Sequence, residues 1–196
     1  DFRSRFSILK DHHPGPWGIL AISLGGMITL EWLKDYPEDF SHAVVVNTSA
    51  KNIANPLERF SAGALANYIK NAKDFRNGEM ERIVLDTVCN LSITEELINE
   101  WRDIAILRPL PKRTMVTQMF AGSQYEAPDH VSVPTLIIGC TKDRLVSVKC
   151  SERLAERLDL PIIYHPEAGH DLSTDDAQWM ADKVGEWIST GEVPSV

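Results

Sequence analysis

The 196-residue chain is long enough for one domain with a real core, or for one domain that carries an insertion. Its 43% hydrophobic and 24% charged residues match an ordinary soluble globular protein. A formal net charge of −8, with cations scattered along the chain, excludes the basic stripe that nucleic-acid binding requires and offers nothing to an anionic membrane surface.

Phe2, Phe6 and Leu9 repeat at helical spacing, so residues 1–11 read as an amphipathic helix. His12-His13-Pro14-Gly15-Pro16 breaks it, and the two histidines read as a solvated loop pair because no third ligand lies nearby. Residues 17–22 are apolar throughout, the pattern of a parallel strand covered on both faces. A helix over 24–35 follows, stopped by Pro37, and Val44-Val45-Val46 form the next strand.

From 51 to 130 only helical patterns occur. Leu57, Phe60, Ala64, Leu65, Tyr68 and Ile69 share one face, and so do Met80, Ile83, Val84, Thr87 and Val88. Ser92-Ile93-Thr94-Glu95 reads as a capping box opening a helix with the stripe Leu97, Ile98, Trp101, Ile104 and Ala105. Met115, Val116, Met119 and Phe120 mark one more helix. Strand character returns at 133–139, then a helix over 147–158, a strand at 162–164 and a last helix over 174–188. Strands alternating with helices predict an α/β fold with a parallel sheet. The core is expected at 1–50 and 131–196, with 51–130 inserted between two of its strands.

The first strand stops at a serine. Ala21-Ile22-Ser23-Leu24-Gly25 has the small-x-Ser-x-Gly form of a nucleophile elbow, a strand–turn–helix too tight for large residues two before or two after the serine. Ala21 stands where glycine is commoner. Such a turn lifts the Ser23 hydroxyl above the sheet and aims the Leu24 N–H at the position of a tetrahedral oxyanion. Two later strand ends supply what a serine nucleophile needs. Asp143 follows the third strand and His170, in Ala168-Gly169-His170, follows the fourth. A histidine takes the hydroxyl proton near neutral pH, and a buried carboxylate fixes its tautomer. Gly169 is expected to let the loop turn toward Ser23, and Asp171 to cap the last helix. Asn47 ends the second strand and cannot supply the acid's charge, which leaves Asp143 as the candidate.

With Ser23, Asp143 and His170 in this order, the chain resembles the α/β-hydrolase superfamily, specifically its capped esterase-type members. The segment from Gly139 to Val146, Glu31-Trp32 and Tyr36-Pro37-Glu38 carry the same resemblance. It runs through the whole chain but covers only the latter half of the family's usual length. The expectation is therefore the C-terminal part of that fold, N-terminally truncated, with four mostly parallel strands and residues 51–130 as an all-helical cap. The family's early strands, and the His-Gly-type loop that gives the second oxyanion donor, have no counterpart in these residues. The strand at 17–22 is then expected to be an apolar sheet edge.

The resemblance implies a Ser-His-Asp hydrolase with no cofactor and no metal, cleaving an ester of a small apolar acyl group. Trp101, Met115, Met119 and Phe120 are candidates for its pocket. Cofactor-free haloperoxidases and carbon–carbon bond hydrolases share the triad, and a non-catalytic ligand-binding protein could share the fold. Dehalogenases and epoxide hydrolases are disfavoured, because they need a carboxylate where Ser23 stands. Cys89, Cys140 and Cys150 are odd in number, form no CxxC pair and predict neither a disulfide framework nor a zinc site. The setting expected from them is reducing and cytoplasmic.

Overall fold

The computed structural model describes residues 2–70, 80–91 and 93–195, with the side chains of Leu65, Asn67, Tyr68, Ile69 and Lys112 excepted. Helix α1 (Phe2–His12) leads to β1 (Gly18–Ile22), α2 (Leu24–Asp35), a 3-10 turn at Pro37–Asp39 and β2 (His42–Val46). The next described elements are all helical: α3 (Pro56–Arg59), α4 (Ala62–Lys70), α5 (Met80–Val88), α6 (Glu95–Leu107) and α7 (Lys112–Gln124). Then come β3 (Thr135–Cys140), α8 (Val148–Leu158), β4 (Ile162–His165), α9 (Leu172–Asp175) and α10 (Ala177–Thr190). The four strands pair in chain order, all parallel. The fold is α/β.

Period-two alternation divides the core. Ala43, Val45 and Ile137 face a cluster with Leu30 and Leu33 of α2 and Leu154 and Leu158 of α8. Val44, Val46, Leu136 and Ile138 face the other way, against Leu172 and Trp187. β2 and β3 are thus covered on both faces, as near-continuous apolar strands should be. β1 is not. It pairs only with β2 among the described residues, and Leu20 is 40% exposed. It is the expected sheet edge, and its two faces are covered only in part: Ile19 packs on one cluster and Ile22 on the other, while Leu20 stays exposed. Periodicity reports which residues are apolar, not how many neighbours a strand has.

α1 is held against this core by one acid. Asp39, buried, accepts from Arg3 Nε at 2.8 Å, Lys10 Nζ at 2.9 Å and Trp32 Nε1 at 2.9 Å. Burial alone would raise its pKa, but the hydrogen bonds and cations outweigh it and hold the carboxyl at about 2. Beside it, the Phe6 ring meets Trp17 and Trp32 edge-on and stacks on Phe40.

Three helix boundaries differ from the sequence reading. The stripe beginning at Leu57 is broken between α3 and α4, because the Ser61 N–H donates to Leu145 O at 2.8 Å and leaves the helical path. Ser92, like the side chains of Leu65, Tyr68 and Ile69, lies outside the described residues. The N-cap of α6 is Thr94, whose hydroxyl accepts from the Leu97 N–H, while Glu95 pairs with Arg82. The last helix is two: Asp171 caps α9 and Asp176, with φ −147°, caps α10.

Candidate active site

The elbow is built by exclusion of volume. Ser23 joins β1 to α2 at φ 55° and ψ −118°, a region that costs a non-glycine residue about 1–3 kcal/mol and persists only where its surroundings force it. Those surroundings are specific. The Ser23 N–H donates to Val46 O at 2.9 Å, and its carbonyl accepts from the Gly26 N–H at 3.0 Å and the Thr48 hydroxyl at 3.0 Å. A Cβ on Gly26 would lie 2.0 Å from that hydroxyl and 2.8 Å from Val45 Cγ1, so only glycine lets α2 lie this close to β2. A Cβ on Gly25 would meet Ala21 Cβ at 3.5 Å, an ordinary contact, so the two flanking positions face each other across the turn. Leu24 opens α2, and helix geometry leaves its N–H without an intrahelical acceptor.

Asp143 and His170 meet at the carboxyl ends of β3 and β4. His170 Nδ1 lies 2.7 Å from Asp143 Oδ2, and the two side chains are 7% and 1% exposed. The other carboxylate oxygen accepts the N–H groups of Leu145 at 2.8 Å and Val146 at 2.9 Å. An ionised carboxylate only accepts, so Nδ1 carries the proton and Nε2 keeps its lone pair for a base's role.

Asn47 ties this pair back to the elbow. It ends β2 in the left-handed region at φ 48°, fully buried. Its amide donates to His170 O at 2.8 Å, and its carbonyl accepts the Cys140 N–H at 2.8 Å. Ser23 is bonded to Val46, the residue before it. The backbones of Ser23 and His170, at the ends of the two outer strands, are thus fastened to adjacent residues of β2. Sequence reading weighed Asn47 only as an acid that it could not be. An asparagine at a strand end, able to adopt positive φ and to bond in both senses, was the available signal.

A family model for serine aminopeptidase, S33, matches residues 1–177. The chain belongs to this α/β-hydrolase family.

Solved structures agree in fold. The esterase EaEST of Exiguobacterium antarcticum superposes with a TM-score of 0.72 at 15% identity, over 95% of this chain and 72% of its own. A thermophilic esterase of Thermogutta terrifontis gives 0.62 at 18% identity, over 92% and 68%. The 2-hydroxy-6-oxo-6-phenylhexa-2,4-dienoate hydrolase of Rhodococcus sp. strain RHA1 gives 0.64 at 18% identity, over 87% and 63%. The chain therefore spans 63% to 72% of these hydrolases' length. No curated protein sequence matches it.

In this S33-family chain the four candidate pocket residues do not form one wall. Trp101 packs in the core of the inserted helices, against Leu85, Val88 and Ile98. Met115 is half-buried on α7, and Met119 and Phe120 are 52% and 67% exposed. α7 still reaches the elbow, because a Cβ on Gly122 would lie 3.3 Å from Leu24 Cδ1. A cleft of about 570 Å³ adjoins Asp143, lined by Leu57, Ser61, Leu145 and Val146 among others. None of the four candidates lines it.

Gly169 has a different reason from the one expected. It is absent from the positive-φ glycines, and a Cβ there would lie 2.5 Å from Val88 O. The position needs close approach to the segment after α5, not a special turn. The three cysteines are free and buried, and burial pushes the thiols of Cys89 and Cys140 up to about 12 and that of Cys150 to about 11. Among the described residues, no cluster of three or more His, Cys, Asp or Glu side chains is arranged for a metal ion, and no helix is long and apolar enough to cross a membrane.

Proposed function

We propose that the protein is a serine esterase acting on small apolar acyl groups. Ser23 Oγ attacks the acyl carbonyl, and His170 Nε2 takes its proton. Asp143 holds the imidazole by Nδ1 and stabilises the imidazolium. The Leu24 N–H donates to the oxyanion. His170 then protonates the leaving alkoxide, and water, deprotonated by the same nitrogen, releases the acid and restores Ser23.

The observation that carries this reading is the 2.7 Å contact of His170 Nδ1 with a carboxylate whose second oxygen is already saturated by two backbone amides. That arrangement fixes the tautomer and leaves Nε2 available. The strained Ser23 backbone supports it, since about 1–3 kcal/mol of strain on a serine calls for a use. Residues 51–130 are proposed as the cap, with α7 over the acyl site, supported by its contact with Leu24. No charged cluster asks for a phosphate or sugar. Buried free thiols support a reducing, cytoplasmic setting.

The test is Ser23→Ala in the intact protein, with fluorophosphonate labelling and turnover of p-nitrophenyl acetate and butyrate. Both labelling and turnover are expected to vanish. Undiminished labelling of the variant would put the nucleophile elsewhere. Tight binding of esters by the parent without turnover would make the protein a receptor on this fold.

A further inference from the structure

The segment that follows α5 grips both loops that carry Asp143 and His170. Asp175, 6% exposed, points its carboxylate at three backbone amides. It accepts the Gly169 N–H at 2.6 Å, the Leu91 N–H at 2.7 Å and the Asn90 N–H at 2.9 Å to each oxygen. The Asn90 side chain then reaches the other way. Its amide donates to Lys142 O at 3.1 Å and to Glu167 O at 3.0 Å, one on each loop. Val88 O accepts the Asp171 N–H at 2.9 Å, and Arg144 donates to Asp86 O and Cys89 O, each at 2.6 Å. His170 is therefore flanked by two residues, 169 and 171, whose amides are both engaged in this junction. Lys142 and Arg144 flank Asp143 and meet the same junction by other groups, the Lys142 carbonyl as acceptor and the Arg144 guanidinium as donor.

We propose that Asp175 and Asn90 are positioning residues that set the spacing of the Asp143 and His170 loops by locking the inserted helices onto both. The proposal rests on the Ser23–His170–Asp143 reading above. Its physical content is that the His170 loop has no long element to hold it. β4 before it and α9 after it are four residues each, whereas the Asp143 loop runs from β3 into the eleven-residue α8, so the 2.7 Å contact between Asp143 and His170 depends on what fastens the His170 loop to its neighbour. Among the described residues, Asn90 is a side chain that bonds to a backbone carbonyl on each loop. Asp175 holds Asn90 in place and the Gly169 amide with it. When the junction loosens, the imidazole loses part of its hold on the Asp143 carboxylate, and the base is more weakly oriented.

Two variants of the intact protein test this, each compared with the parent for thermal midpoint and for kcat and KM on p-nitrophenyl butyrate. Asn90→Ala removes the two loop contacts while leaving the Asp175 amide bonds. Asp175→Asn turns an N–H donor toward amides that themselves donate. The expected result is a kcat about tenfold to a hundredfold lower, with KM within about twofold. Asn90→Ala decides the matter even if Asp175→Asn fails to fold. Parental kcat in Asn90→Ala would overturn the proposal, as would a lowered thermal midpoint with turnover per folded molecule unchanged. Ser23→Ala is assayed beside them. If it still turns over, the triad reading has failed; if it is dead while Asn90→Ala is parental, only the positioning role has.

Discussion

Two aspartates are buried at opposite ends of the same sheet, and their surroundings could not differ more. Asp39 precedes β2 and is met by an arginine, a lysine and an indole N–H. Its charge is neutralised where it stands. Asp143 follows β3 and is met by two backbone amides and a histidine, with no lysine or arginine in ion-pair range among the described residues. Its charge is solvated by dipoles and, on the proposed mechanism, is kept for the cation formed when His170 takes a proton. Burial alone therefore does not mark a working carboxylate; what it is paired with does.

The contrast can be broken most severely at Asp143. Asp143→Asn keeps an oxygen for the two amides but offers Nδ1 the wrong partner. Turnover is expected to fall about ten-thousandfold while the folded state survives, read by steady-state kinetics beside a urea melt. A small drop would mean that the charge is not held for catalysis. Gly169→Ala acts on the same end by geometry, since its Cβ overlaps Val88 O. Overpacking of about 1–3 kcal/mol is expected in the urea midpoint, together with reduced turnover.

Asp39 should show the opposite division. Its folded pKa of about 2 lies below the usual carboxylate value near 4, so the unfolded state binds the proton more readily. The stabilisation is therefore complete above about pH 4 and is lost as pH falls toward 2, with an upper bound of about 2 kcal/mol. Asp39→Asn is expected to flatten the stability curve across that window and leave kcat unchanged. Lys10→Ala sharpens the point with the smallest effect. An ion pair whose lysine is 36% exposed contributes at most about 1 kcal/mol, and two other donors still hold Asp39.

What the sequence made legible follows the same division between local and distant causes. α2 runs over Leu24–Asp35, as read from the apolar run, the serine, the glycines and Pro37, because every one of those signals is local. Its stop at Tyr36 needs only the proline that follows. The break at Asp176 left a local signal, since the apolar stripe begins only at Ala177 and an aspartate just before it is a favoured N-cap residue. Thr94 is the cap of α6, a hydroxyl that the sequence also offers directly before the helix. The contacts of Asn47 with His170 and of Asp175 with Asn90 span 123 and 85 residues. They join side chains to backbone amides and carbonyls, and those groups carry no signature in the sequence. The half-exposed β1 was foreseeable from strand count and not from its own residues.

Gly26 carries a consequence for how such a chain can change. The 2.0 Å between its absent Cβ and the Thr48 hydroxyl closes that position to every other residue, whereas a Cβ at Gly25 would meet Ala21 at an ordinary contact distance. Ser23, half-buried at the apex, is bounded only at its backbone. Evolution can therefore exchange the reacting group by one substitution, while the socket that presents it resists any single step. Divergence in this lineage is expected to run through the occupant of the apex and the helices above it, and to leave the turn beneath as the fixed point of descent.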